Sequence, residues 1–85
     1  MEIKLDIPVY DKNSGIKYKW IDGFDIDVVY ENEIITISAN KEGLLSIANH
    51  FLNLAQDSVP NGCHLHFDKY NSLNENSTDL VIQKK

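Results

Sequence analysis

The sequence predicts an α+β domain: an antiparallel sheet of about six strands, in the order ββββ-α-ββ, with one amphipathic helix packed on one face. Three observations carry that expectation. Apolar and polar residues alternate along most of the chain up to Ser38, the period-two pattern of half-buried strands. At Asn40 the apolar spacing changes to three and four residues, the period of a helix. Beyond Pro60-Asn61-Gly62 the alternation returns from Cys63 to Asp68, and Thr78 to Gln83 reads as a last strand.

The first strand is expected over Glu2 to Tyr10, with Ile3, Leu5, Ile7 and Val9 opposite Glu2, Lys4 and Asp6. Pro8 has no amide to give to a ladder, so this stretch belongs at an edge. Asp11 to Gly15 forms a loop suited to a hairpin, and a second strand follows from Ile16 to Ile21. Asp22-Gly23 is a tight-turn signal, because both residues tolerate positive φ. Phe24 to Tyr30 and Glu33 to Ser38 read as the third and fourth strands, joined by a turn at Glu31-Asn32. Asn40 is a good helix N-cap, with Glu42 placed where the helix dipole favours an anion. The helix should run from Lys41 to about Gln56 and lay Leu44, Ile47, Ala48, Phe51, Leu54 and Ala55 on the sheet, widened by Leu45 and Leu52. Cys63 to Asp68 and Thr78 to Gln83 complete the sheet, and Lys84-Lys85 trails into solvent.

Eighty-five residues make one domain, 1–85, with a thin core. A single cysteine excludes an internal disulfide and a Cys-rich zinc site. The N-terminus lacks the basic and apolar regions of a signal peptide, and no apolar run has the length to span a bilayer. A cytoplasmic protein is therefore expected, with no membrane partner. Net charge −5, with eight lysines and no arginine, argues against nucleic acid as a partner, which needs a basic stripe. A basic protein is the partner this charge would attract.

Chemistry-bearing residues are sparse. His64 and His66 project from one face of their strand and could supply half of a metal site, with Asp68, Asp79 or His50 as a third ligand. The plainer reading makes them the polar side of a half-exposed strand. Cys63 points away from His64, the serines have no base at a convincing spacing, and the glycines are dispersed rather than gathered into a phosphate loop. No catalytic residue is assigned and no cofactor is expected. The acidic run is more informative: Asp22, Asp25, Asp27, Glu31 and Glu33, with no lysine among them, converge on one hairpin. Such a face would steer a basic partner, with Trp20, Tyr18, Tyr30 or Tyr10 as an aromatic anchor.

From Asn40 onward the chain resembles the immunity protein 32 family. The resemblance rests on Asn40-Lys41-Glu42-Gly43-Leu44-Leu45-Ser46-Ile47-Ala48, on Pro60-Asn61-Gly62-Cys63-His64-Leu65-His66-Phe67-Asp68, and on Ser72-Leu73, Ser77 and Leu80-Val81-Ile82, over about residues 33–85. Asn40, Gly43, Gly62, His64, His66 and Asp68 are its most telling positions. Ala39 and Asn76 stand where the pattern leads one to expect glycine. The resemblance implies a small bacterial protein that binds and neutralises a cognate toxin domain, and no catalytic or toxin-contact residues to carry over. A basic toxin cleft, such as that of a nuclease, would suit the acidic hairpin. The other readings are a small metal-binding or hydrolase-like domain using His64 and His66, and a structural module that oligomerises through the sheet edge near Pro8.

Overall fold

A computed structural model describes residues 1–85. Its elements run β1 (Ile26–Glu31), β2 (Ile34–Ala39), α1 (Lys41–Leu54), β3 (His64–Phe67) and β4 (Leu80–Gln83). The α+β class holds, with one helix, but the six-stranded sheet does not: β1 pairs only with β2 and β3 only with β4, both antiparallel.

The β1–β2 hairpin closes through Asn32 and Glu33, whose φ values of 54° and 64° are those of a type I′ turn. Glu31 therefore faces Ile34, one residue later than the Glu31-Asn32 turn expected. On the other edge of β1 no strand joins. Asn74 N–H donates to Ile26 O (2.9 Å), Thr78 N–H donates to Val28 O (2.8 Å), and Val28 N–H donates to Ser77 Oγ (3.1 Å). An irregular loop, 74–78, stands where β4 would otherwise pair with β1, so the sheet divides in two.

The two N-terminal strands are also absent, and the reason lies in α1. Gln56, just past its end, accepts from Tyr10 N–H (3.0 Å) and donates to Pro8 O (2.9 Å). Asn49 Nδ2 donates to Asp6 O (3.1 Å), His50 Nε2 accepts from Lys19 N–H (2.9 Å) and Ser46 Oγ accepts from Ile21 N–H (2.9 Å). These side chains satisfy backbone groups that a neighbouring strand would have taken. Residues 6–21 thus lie along a helix instead of joining a ladder. The Asp11 to Gly15 loop does form, as an isolated bridge between its two ends.

The helix is consequently turned from its expected orientation. Its buried residues are Gly43, Ser46, Asn49, His50, Asn53 and Leu54, a mostly polar stripe at three- and four-residue spacing. Leu44, Phe51 and Leu52, expected on the sheet, are 55%, 42% and 48% exposed. The core is small: Ile26, Val28, Leu54, Val59, Leu65, Phe67 and Leu73. Tyr18, Trp20 and Phe67 pack with His50, the Trp20 and imidazole ring centroids lying 4.3 Å apart edge to face, and Phe24 stacks on Trp20. Lys84 does not trail into solvent. Its Nζ donates to Gln56 O (2.6 Å) and Val59 O (2.8 Å), tying the chain end to the segment after α1.

Candidate functional site

Strand alternation sorts the acidic run. Ile26 and Val28 are buried in the core, so Asp25, Asp27 and Glu31 alternate onto the opposite, outer face of the hairpin. Asp22 lies in the turn before β1 and Glu33 in the hairpin turn. From Asp22 to Asn40 there is no lysine or arginine, and none of the five carboxylates makes an ion pair. Asp27 and Asp25 line one side of a shallow depression completed by Ser38, Ala39 and Asn40. Asp25 is partly committed, since its carboxylate accepts a hydrogen bond from Asn74 Nδ2. Among the aromatic residues considered as anchors, Tyr18 and Trp20 are occupied in the His50 cluster, while Tyr30 is 58% exposed at the open end of β1.

The motif residues beyond Asn40 hold the fold together. Asn40 Oδ1 accepts from Gly43 N–H (2.8 Å) and Asp25 N–H (3.1 Å), and its Nδ2 donates to Gly23 O (2.8 Å). One side chain therefore caps α1 and ties it to the turn before β1. Gly43 lets the helix approach the sheet: a Cβ there would stand 2.9 Å from Ile26 Cγ1 and 3.1 Å from Asp25 O. Gly62, at φ 90°, makes the turn into β3. Asn76 adopts φ 74°, which explains why glycine is the natural residue there and asparagine an acceptable one.

His64 and His66 share the outer face of β3 but do not share a site. His64 Nδ1 lies 3.5 Å from Gly62 O. His66 Nε2 lies 3.2 Å from Asp79 Oδ2 and 3.9 Å from Asp68 Oδ2, and these three residues are close enough to hold a metal ion. Of the three side chains, that of Asp68 is also engaged locally. Asp68 Oδ1 accepts from Tyr70 N–H (2.9 Å) and Asn71 N–H (3.1 Å), and Asn71 Nδ2 donates to His66 O (2.9 Å). This lacing shapes the loop that delivers Leu73 to the core. His50, the remaining imidazole, is fully buried on the far side of its own cluster.

Two features escaped the sequence reading. One is the polar stripe of α1 that binds residues 6–21; the spacing of Ser46, Asn49, His50 and Asn53 was there to show it. The other is the uncovered apolar side of the same helix. It adjoins a hollow lined by Phe51, Leu54, Ala55 and Ile82, with Lys84 at its edge.

Fold and surface together define a small acidic α+β domain whose recurring motif residues serve as scaffold and whose charged and apolar faces lie open. A family model described as immunity protein 32 matches residues 34–85, and the chain belongs to that family. Neither a curated protein nor a solved structure matches it. No helix is long and apolar enough to cross a membrane.

Proposed function

We propose that this immunity protein binds a cognate bacterial toxin domain in the cytoplasm and blocks a basic active cleft, such as that of a nuclease, with the outer face of its β1–β2 hairpin. The reading assigns the chain no catalytic step and no cofactor. The observation that carries it is the cation-free acidic face: Asp25, Asp27 and Glu31 on β1, flanked by Asp22 and Glu33 in the turns. Carboxylates presented in this way imitate the phosphates a nuclease cleft receives, and they raise the encounter rate with a basic surface. Exposed Val29 and Ile34, at 44% and 63%, lie on the same side of the hairpin and supply apolar contact between the charges.

The experiment is to identify the gene immediately upstream and purify the chain together with the C-terminal domain of the protein it encodes. A stable one-to-one complex that abolishes the toxin's activity supports the reading. Two proteins that elute separately, with toxin activity undiminished, would overturn it.

A further inference from the structure

We propose that His66, Asp68 and Asp79 form a zinc site that clips the base of the 68–79 loop, with His64 outside it. The register of the second hairpin gathers the three. His66 pairs with Val81 and Phe67 with Leu80, which brings Asp68 and Asp79 together where the ladder ends. His66 stands two residues before Asp68, on the same face. Carboxylates so opposed destabilise a strand pair. No lysine offsets them: the ion-pair contacts of both go to His66 alone. The ammonium of the adjacent Lys69 lies over the Tyr70 ring instead, 5.2 Å from its centroid. A neutral imidazole has one proton to give, so it serves only one of the two carboxylates.

The spacing of the donor atoms fits the ion. Tetrahedral zinc, about 2.0–2.2 Å from each ligand, sets its ligand atoms about 3.3–3.6 Å apart. His66 Nε2 lies 3.2 Å from Asp79 Oδ2 and 3.9 Å from Asp68 Oδ2, and ligand atoms of all three residues lie within 4.8 Å of one another. Asp68 is already aimed. Its Oδ1 accepts from Tyr70 N–H and Asn71 N–H, which fixes the carboxylate and leaves Oδ2 for the ion. Hydrogen bonds of this kind orient metal ligands. One imidazole nitrogen beside two carboxylates selects zinc over magnesium or calcium, which take oxygen ligands. The remaining position falls to water, because His66 and Asp79 face solvent. His64 stays out, its Nδ1 lying 3.5 Å from Gly62 O. The ion's role is mechanical. It joins the ends of a loop whose Asn74 and Thr78 amides occupy the free edge of β1.

The test needs only the chain and metal chlorides, without toxin. Titration calorimetry at neutral pH should show one zinc ion bound per chain, more tightly than magnesium or calcium. Zinc should also raise the Tm, since it binds only the folded arrangement. His66→Gln and Asp79→Asn, both at exposed positions, should each weaken binding about tenfold or more with the circular dichroism retained. His64→Gln should leave the affinity unchanged. A chain whose Tm and heats are indifferent to zinc would overturn the proposal. So would an equal loss in His64→Gln and His66→Gln, the mark of an adventitious histidine pair, or zinc held as tightly by Asp79→Asn as by the unaltered chain.

Discussion

Gly43 and His50 lie two helical turns apart on the buried side of α1, and each constrains the domain in its own way. Gly43 allows the close approach of helix and hairpin. Gly43→Ala adds helix propensity, about 1 kcal/mol in favour, but forces a Cβ against Ile26 and the Asp25 carbonyl, which costs about 1–3 kcal/mol. The clash involves backbone and a buried branch, so we expect a net loss of about 1 kcal/mol, read as a drop of several degrees in Tm. His50 is a titrating residue in the core. Burial pushes its pKa from 6.5 down to about 4. Between those values the unfolded chain binds a proton that the folded chain refuses. Its contribution is therefore complete above about pH 6.5 and is lost as the pH falls toward 4, on the order of 3 kcal/mol in all. Urea denaturation from pH 7 to pH 4.5 should show this slope, and His50→Gln should flatten it.

At the scale of elements, strands were legible in the sequence only where a partner strand existed. β1, β2 and β3 fall within segments of period-two alternation, β4 is a short apolar run, and α1 begins just after the capping residue Asn40. Glu2 to Tyr10 and Ile16 to Ile21 alternate as well, yet their amides and carbonyls go to Gln56, Asn49, His50 and Ser46. Alternation reports which residues face inward, not whether a strand or a helix receives the backbone bonds. The same oversight turned α1 the wrong way, because polar residues serving a neighbouring segment look like a solvated face. Gln56→Ala removes both bonds that hold Tyr10 and Pro8. We expect a loss of about 1–2 kcal/mol, with faster amide exchange at Tyr10 and earlier proteolysis within residues 1–15, while the amides of β1 and β2 stay protected. Uniform acceleration across the whole chain would contradict a local role for Gln56.

For the whole molecule, period alone puts Asp25, Asp27 and Glu31 on one side of β1, since alternation is sufficient to sort a single strand. Their place relative to the helix depended on tertiary packing and could not be read from the sequence. The resulting domain has two unlike surfaces on opposite sides: a cation-free acidic face on the hairpin and an uncharged apolar side on α1. The scaffold between them uses Asn40, Gly43, Gly62 and Asp68. The central claim is that the acidic face binds the toxin, and titration calorimetry of the chain against its cognate toxin domain tests it most directly. Asp27→Lys with Glu31→Lys avoids Asp25, which is engaged with Asn74. The account predicts affinity lower by about tenfold or more, a shallower salt dependence than the unaltered chain shows, and an unchanged Tm. Equal affinity and equal salt dependence for the two proteins would contradict it.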